Sequence, residues 1–574
     1  MTERVARASS RHPWRVIAAW IVAVVASVFL IGMFLEDALS ADVEITSQTE
    51  SNRANQLLSE GFRPTRQELE RDVTEVVVVR TEAGSIEDPA ARERVESLSS
   101  ELRSAGATNV VTYAEDERLV SQNGDATVVL VGLGFDAEDN VPAAVDVVER
   151  LDAEPGYEAA MTGEWTTEVD FNQLSQDDLR EGELFFGAPA ALVILLLVFG
   201  AVVAGLVPLM LAIISIIVAL ALVALLGQAY DLSVFTINML TGMGLALGID
   251  YSLFVLSRYR EERTQAREKL DAIATAGSTA SRAVLFSGMA FVLAMFGLVL
   301  VPSTIFRSLA AGAILVGFVS VIAALTLLPA VLGLLGDRIN SLRIPYFGRT
   351  AEQAGREGRF WGPVVRGVMR RPVVSLMFSA GLLIALTLPV LRLETGTAGR
   401  STMPDRFESK QGYLLLNEEF PGQTTDPVQI AVGGDASSPE AQAGIERLTA
   451  ELARRPLFSE PTVTTSESGT VTEVSVPIAG DPVGKRAIEA VRDLRGEVIP
   501  RAFAGTNTEV LVTGDTAEEL DYHDTVDWWR IPVFIFVLGL SFILLTIAFR
   551  SIVVPLKAIV LNLLSVGAAY GLLV

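Results

Sequence analysis

The 574-residue sequence contains no cysteine and only two histidines, His12 and His523. The absence of cysteine excludes disulfide bonds, thiolate metal sites and cysteine nucleophiles. Neither histidine lies inside a long apolar run, so a histidine-based proton relay or a buried zinc site within a membrane is not expected. We predict no metal site and no cofactor.

Sequence motifs of catalysis are missing as well. We find no nucleophile elbow, no phosphate-binding loop, no H-E-x-x-H helix and no Cys/His cluster in the sequence. We therefore do not expect an enzyme, and no nucleic-acid partner is predicted.

Apolar residues, by contrast, are abundant. Hydrophobic residues make up 50% of the chain and charged residues 20%, with a mean hydropathy of +0.42. Apolar stretches of roughly 20 residues, each long enough to cross a ~30 Å hydrocarbon core, alternate with two long polar blocks. The pattern predicts a polytopic α-helical membrane protein with spans near 14–35, 185–204, 206–227, 233–257, 283–301, 305–335, 373–391 and 531–549, and a ninth from 553.

Charge distribution predicts the orientation in the membrane. Four arginines between residues 4 and 15 precede the first span, which favours a cytoplasmic N-terminus. A signal peptide is the alternative, but the apolar run of ~20 residues is longer than the usual 7–15-residue apolar region of a signal peptide. The block 37–184 carries 34 acidic against 11 basic residues and is expected to be exported. The Arg-rich segments Arg258–Arg282 and Arg338–Arg371 are predicted to be cytoplasmic.

The order of elements repeats along the chain. Arg11-His12-Pro13 precedes the first span, and Arg370-Arg371-Pro372 precedes the seventh. The segments 50–62 and 408–420 match at six of thirteen positions without a gap. Such self-similarity predicts two copies of one architecture.

Each polar block has the same internal order of predicted elements. Apolar or β-branched runs and helical patterns follow one another as β-α-β-β-α-β, which is the ferredoxin-like order. In the first block the strands are predicted near 74–80, 108–114, 126–134 and 157–162, and in the second near 428–433, 460–466, 470–478 and 508–513.

These patterns divide the chain into segments. The predicted domains are the N-terminus and first span (1–36), the first exported block (37–184), spans two to six (185–336), a cytoplasmic linker (337–371), span seven (372–392), the second exported block (393–528), and span eight with the start of span nine (529–574).

Asp250 is the candidate functional residue, because it lies inside the apolar fourth span. Insertion scales put the cost of a central Asp at ~2.5–3.5 kcal/mol, and such residues commonly mark ion pathways. At ~100° per residue, Gly244, Gly248 and Tyr251 form one stripe of the helix and Asp250 lies on the neighbouring one. We expect the glycines to serve close helix packing, Tyr251 to close the seam, and Asp250 to point towards the next helix. A static, hydrogen-bonded Asp250 is the structural alternative.

At these residues the sequence resembles a known family. GLALGIDYSLFVLSRYREE (244–262) resembles the fourth-helix signature of the mycobacterial membrane protein large family of the resistance-nodulation-division superfamily. TLLPAVLGLLGDR (326–338) is similar to the end of that family's sixth helix. The resemblance implies two six-helix repeats with two exported porter subdomains, and a proton relay in which Asp250 and Tyr251 form the first of two Asp-Tyr pairs.

The second pair of the relay is not contained in this sequence. The ninth span reaches Val574 without a polar end, so the second repeat is expected to be truncated. Because Asp250 follows Phe199 by about 50 residues, the equivalent pair is expected roughly 20–30 residues beyond Val574.

The function implied by the resemblance is proton-driven export of lipids or other hydrophobic molecules across the cell membrane. The exported blocks are about half the size found in the superfamily's large drug pumps, which favours the lipid-exporting branch. Expected partners are the hydrophobic cargo, protons and membrane lipids, with a homo-oligomer left open. Two alternatives remain, a protein-export auxiliary resembling SecDF and a non-transporting sterol- or lipid-sensing protein of the same fold.

Overall fold

The computed structural model describes residues 1–35, 38–40, 45–62, 73–230, 232–265, 267–343, 361–393, 402–420, 427–434, 438–479, 481 and 483–574. The chain divides into two compact units, each built from segments that are distant in sequence. The helical unit comprises Met1–Glu44, Ser175–Thr395 and Trp528–Val574, and the α/β unit comprises Ile45–Leu174 and Gly396–Asp527.

The α-helices are numbered in chain order. They are α1 (Thr2–Arg11), α2 (Pro13–Phe34), α3 (Glu50–Gly61), α4 (Pro89–Ser104), α5 (Ala137–Asp152), α6 (Glu164–Asp178), α7 (Ala188–Phe199), α8 (Val202–Leu226), α9 (Phe235–Thr264), α10 (Lys269–Ser278), α11 (Ala280–Val299), α12 (Thr304–Leu335), α13 (Trp361–Arg370), α14 (Pro372–Thr387), α15 (Glu408–Glu419), α16 (Pro439–Leu452), α17 (Lys485–Asp493), α18 (Ile499–Ala502), α19 (Asp515–Phe549) and α20 (Val553–Leu573).

The strands are short by comparison. They are β1 (Leu39–Ser40), β2 (Glu75–Thr81), β3 (Asn109–Val111), β4 (Ala126–Gly132), β5 (Tyr157–Gly163), β6 (Leu232–Ser233), β7 (Val428–Gly433), β8 (Thr462–Thr465), β9 (Val471–Val476) and β10 (Glu509–Thr513). A π-helix (Leu179–Gly187) joins α6 to α7, and a second one (Leu494–Val498) joins α17 to α18.

Nine helical runs in the described part of the chain are long and apolar enough to cross a membrane. They are Pro13–Phe34, Glu164–Phe199, Val202–Leu226, Phe235–Thr264, Lys269–Val299, Thr304–Asn340, Pro372–Arg392, Asp515–Phe549 and Val553–Leu573. They coincide with the nine spans predicted from hydropathy, so the prediction of a polytopic, mainly helical membrane protein is confirmed.

Local chemistry sets several helix ends. Pro13 and Pro372 occupy the first positions of α2 and α14, where a missing N–H costs no hydrogen bond. Gly200 ends α7 in the left-handed conformation, with φ of 65°. The second span had been predicted to continue to residue 204, but this turn ends α7 at Phe199 and α8 starts at Val202.

Close helix contacts in the helical unit occur at small residues. The centre of the bundle is formed by α8, α9 and α12, with α2 packed against α8. The N-terminal helix α1 packs on α10 and α12, where Gly277 lies against Ala6 and Gly333 lies against Ser10. In the second half, Gly567 and Gly571 of α20 lie against Leu386 and Thr387 at the end of α14.

The first block of the α/β unit forms a four-stranded antiparallel sheet with the order β3-β4-β2-β5. In the central strand β2, all four consecutive valines 76–79 are buried. Because successive side chains point to opposite faces, both faces of this sheet must be covered.

The second block repeats this arrangement. Its antiparallel sheet has the order β10-β7-β9-β8. In both sheets the first strand in sequence lies between the third and the fourth, and the second strand lies at the edge beside the third. The strands of both blocks overlap the apolar or β-branched runs from which they were predicted.

Each block contributes one helix to the sheet of the other block. Although α3 precedes the first sheet in sequence, it packs on β10, β7 and β9 of the second. Conversely, α15 precedes the second sheet and packs on β5 and β2 of the first. Leu415, Leu416 and Phe420 are accordingly buried in the core of the first block. These exchanged helices are the segments 50–62 and 408–420 that the repeat comparison had aligned.

Candidate functional site

The candidate site lies on α9, a 30-residue helix that packs mainly against α8 and α12. Its apolar sequence and length suit a membrane span, and its glycines allow neighbouring helices to approach closely. Residues Thr236, Leu240, Gly244, Gly248, Tyr251 and Val255 are all buried, at intervals of three or four positions. This spacing defines one buried face of the helix.

Gly248 and Gly244 mark the closest approaches of α9. A Cβ atom at position 248 would lie 2.6 Å from the Cα atom of Ala212 in α8. A Cβ atom at position 244 would lie 2.4 Å from Cγ1 of Ile216 in α8 and 3.0 Å from Cγ2 of Val316 in α12. Both glycines therefore lie at close contacts between helices.

Tyr251 lies on the same face and is only 5% exposed. Its hydroxyl oxygen is 3.4 Å from the position that a Cβ atom would take at Gly288 in α11. Ser287 is a neighbouring polar group, but the hydroxyl makes no hydrogen bond of good geometry with any described residue. Tyr251 thus fills the contact between α9 and α11 with a polar atom left unpaired.

Asp250 is exposed on the neighbouring face of α9. Ala246, Phe254 and Ser257 continue this exposed stripe along the helix, and Phe254 is 62% exposed. We had expected Asp250 to point towards the next helix of the bundle, but in this chain its face of α9 is open. The reason is the position of the neighbouring helices, because α8, α11 and α12 pack on the face of α9 that contains Tyr251, and Asp250 lies ~100° away from that face.

The end of α9 is held by a group of charged side chains that the sequence analysis did not single out. Glu262 is 1% exposed and forms ion pairs with Arg258 at 2.6 Å and with Arg267 at 2.7 Å. Arg263 makes two hydrogen bonds of 2.6 Å to the Asp337 carboxylate, just beyond α12. The alternation of Arg and Glu at spacings of three to five residues in 258–267 is the signal that could have identified this group.

Arg260 connects the same end of α9 to the turn that follows α7. It donates a hydrogen bond of 3.1 Å to the Phe199 carbonyl, and its guanidinium lies 5.5 Å from the centre of the Phe199 ring. The site residue Asp250 is therefore located on a helix whose end is fixed to two neighbouring elements.

Among the described residues, no three His, Asp or Glu side chains come together as a group that could hold a metal ion.

The membrane-type helices of the described residues define a multi-pass membrane protein, and Asp250 lies within one of these helices. The sequence model of the MMPL family matches residues 46–375 and 401–574. The chain therefore belongs to the MMPL family, as its fourth-helix sequence suggested.

Named relatives from several organisms are similar over much of the chain. The mycolic acid-containing lipids exporter MmpL11 of Mycolicibacterium smegmatis is 29% identical over 98% of the chain and 59% of its own length. A putative membrane protein of Streptomyces coelicolor is 31% identical over the full chain and 77% of its own length. The trehalose monomycolate exporter MmpL3 of Mycobacterium tuberculosis is 26% identical over 87% of the chain and 56% of its own length. The chain thus spans little more than half of the two named exporters.

Proposed function

We propose that this chain forms the greater part of an exporter of lipids or other hydrophobic molecules that is driven by the proton-motive force. The observation that carries the proposal is Asp250, an exposed carboxylate in the fourth of the nine membrane-type helices that the described residues of this MMPL family member form. An ionised acid in the middle of a membrane helix costs ~2.5–3.5 kcal/mol, and such carboxylates commonly mark ion pathways.

The coupling follows from the position of Asp250. Its face of α9 is open in this chain, so water or another helix would contact the carboxylate there. Loss and gain of a proton would change which contact is favoured, and a bundle with two packing arrangements would rock between them. Tyr251, whose hydroxyl at the contact with α11 has no hydrogen-bond partner among the described residues, would respond to the same change as the second member of the relay.

The cargo class is proposed from the relatives. MmpL11 of M. smegmatis is named for export of mycolic acid-containing lipids, and MmpL3 of M. tuberculosis for export of trehalose monomycolate. A relative from M. tuberculosis, 31% identical over 67% of the chain, is named a heme uptake protein. Because these cargoes share large apolar surfaces, a hydrophobic molecule is the chemistry that they support in common.

We further propose that the chain consists of two resistance-nodulation-division-type repeats with the predicted domain boundaries, and that both polar blocks are ferredoxin-like porter subdomains. The identical strand order of the two sheets supports this proposal. The pairing of α14 with α20 supports it too, because the first half pairs α2 with α8 in the same way.

A depletion strain tests the cargo. After depletion of the full-length protein, lipids labelled with radioactive acetate should accumulate inside the cell and decrease in the surface-extractable fraction. A protonophore added to undepleted cells should cause the same accumulation, because it removes the proton gradient. Retention of secreted proteins with normal lipid distribution would instead support the protein-export alternative, and unchanged activity with the protonophore would support lipid sensing.

The orientation of the chain gives a separate prediction. With the N-terminus in the cytoplasm, single cysteines at Ser100 and Ala450 should react in intact cells with a membrane-impermeant thiol reagent. Cysteines at Gln265 and Ser341 should react only after the cells are opened. All four positions are exposed, and the chain contains no native cysteine, so each variant reports one position. The opposite labelling pattern would invert the proposed topology.

A further inference from the structure

The two exchanged helices are docked by equivalent hydrogen bonds. At the first contact, the Glu50 carboxylate at the start of α3 accepts a hydrogen bond of 3.1 Å from the Val512 N–H in β10. The next residue, Ser51, donates its backbone N–H to the Asp521 carboxylate at 2.9 Å. Two carboxylates thus hold the N-terminal end of α3 on the second sheet.

The second contact repeats these bonds with residues from the other copy. The Glu408 carboxylate at the start of α15 accepts a hydrogen bond of 2.8 Å from the Met161 N–H in β5. Ser409 donates its backbone N–H to the Asp170 carboxylate, also at 2.8 Å. Each of the four residues has its counterpart at the first contact, so the two contacts are related by the internal repeat.

The two contacts differ in their counter-charge. At the first, Arg495 forms ion pairs with Glu50 at 3.2 Å and with Asp521 at 2.6 Å. The position equivalent to Arg495 in the first block is Asp152. The second contact therefore has a carboxylate where the first has a guanidinium.

The equivalence of Arg495 and Asp152 follows from the helices that carry them. Arg495 comes directly after Leu494, and Asp152 comes directly after Leu151; both leucines are fully buried under their own sheets. Another fully buried residue lies three positions before each leucine: Val491 in α17 precedes Leu494, and Val148 in α5 precedes Leu151. The same face of the same helix thus carries opposite charges in the two blocks.

The groups around Glu408 are mainly acidic. Asp152 and Glu149 approach it from α5, and Asp170 approaches it from α6. On α15 itself, Lys410 lies two residues further along and so on the other side of the helix. Burial, followed by repulsion from these carboxylates, raises the pKa of Glu408 to about 7 although the Met161 N–H opposes the shift.

The other charged groups of the sheet that carries α15 are paired elsewhere. Arg80 of β2 forms ion pairs with Glu158 of β5 and with Glu419 at the far end of α15. Glu75 of β2 accepts hydrogen bonds from the backbone N–H groups of Trp165 and Thr166. Arg80 is therefore paired with other carboxylates and does not give Glu408 the counter-charge that Arg495 gives Glu50 at the first contact.

We propose that the docking of α15 on the first sheet is a pH-sensitive contact, which tightens as the surrounding solution is acidified from about neutral and loosens as it becomes alkaline. The contact of α3 on the second sheet is the stable counterpart, because Arg495 compensates its carboxylates. This property goes beyond the proposed transport function and does not depend on the identity of the cargo.

The direction of the effect follows from the protonation of Glu408. Its pKa is raised when α15 is docked, from an ordinary value of 4.5 to about 7. Between these two values the docked form holds a proton that the undocked form has lost, so docking weakens as the pH rises through this window. Burial also raises the pKa of Glu50, but Arg495 opposes that shift, so α3 should respond less.

Hydrogen–deuterium exchange of the full chain in detergent tests the proposal. Protection of the α15 amides, corrected for the intrinsic exchange rate at each pH, should fall about 20-fold between pH 5.5 and 7.5. In Glu408→Gln, which keeps the hydrogen-bond acceptor but cannot titrate, most of this pH dependence should disappear, and the remainder belongs to Asp170, whose pKa is also raised by burial. Asp152→Arg should also flatten it, because the variant restores the counter-charge of the first contact. Glu50→Gln is the matched control and should leave the α15 profile unchanged.

The outcomes separate a titrating contact from a merely structural one. Wild-type protection of α15 that does not change with pH would overturn the proposal, as would a Glu408→Gln variant with the wild-type slope. If Glu408→Gln does not fold, Asp170→Asn provides a second measurement. Removing this neighbouring negative charge should shift the transition to lower pH, and an unshifted transition would likewise count against the proposal.

Discussion

Asp250→Asn in the full-length protein is expected to insert and fold normally and to lose transport. Asparagine keeps the size and hydrogen-bonding capacity of the side chain, but it cannot bind and release a proton. A proton that moves down a potential of 100 mV supplies ~2.3 kcal/mol. For each coupled proton, this free energy can raise the ratio of exported to retained cargo by about 50-fold. We expect a loss of roughly this size, measured as export of radiolabelled lipid at matched expression.

Two further variants isolate the proton-carrying role. Asp146→Asn makes the same chemical change on the exposed side of α5, outside the spans, and should export normally. Tyr251→Phe should be much milder than Asp250→Asn, because the Tyr251 hydroxyl has no hydrogen-bond partner among the described residues and its removal strands no buried group. Wild-type export by Asp250→Asn would refute the relay and favour the lipid-sensing alternative.

Gly248→Ala should strongly destabilise the bundle. The added Cβ would lie 2.6 Å from the Ala212 Cα and 2.7 Å from its Cβ, so the backbone of α8 would have to move away from α9. Overpacking of this kind costs about 1–3 kcal/mol, more than the roughly 1 kcal/mol by which Ala favours a helix over Gly. Thermal denaturation in detergent, followed by gel filtration, should show a clearly lowered midpoint.

Alanine substitutions at two other helix glycines should lower the midpoint less than Gly248→Ala. Gly244→Ala should be less harmful than Gly248→Ala, because the new methyl group would meet the side chains of Ile216 and Val316 and not the backbone of a neighbouring helix. Gly32→Ala in α2 has no atom within 4 Å of the new Cβ and should be neutral or stabilising. Equal midpoints for the variants at positions 248 and 32 would show that close packing of α8 and α9 contributes little to stability.

Much of the fold could be predicted from local sequence patterns. The nine membrane helices follow from runs of apolar residues, because a helix that crosses a bilayer must be apolar over ~20 residues. The strands of both blocks follow from short runs of apolar or β-branched residues, and the helix starts at Pro13 and Pro372 follow from their prolines. The extent of the second span was wrong because the left-handed turn at Gly200 ends the helix early.

The candidate site could be predicted in part. Hydropathy locates Asp250 and Tyr251 within the fourth span, and helical periodicity places them on neighbouring faces. Periodicity does not determine which face is covered, because that depends on where α8, α11 and α12 pack. The charged group around Glu262 was missed for a related reason, since a run of Arg and Glu at the end of a span looks like an ordinary exposed helix end until neighbouring elements bury it.

The sequence alone determined the number of spans, the two similar blocks and the presence of a carboxylate inside the membrane helices, because each is set by the local order of apolar and charged residues. Only the tertiary structure decided that α3 and α15 exchange sheets, since both helices have the same pattern and would satisfy it on either sheet. It also decided which buried carboxylates receive a counter-charge, because Arg495 and Glu50 are 445 residues apart in sequence and 3.2 Å apart in space. Long-range packing brings such groups together, and the local sequence around each group does not indicate which distant residue it will contact.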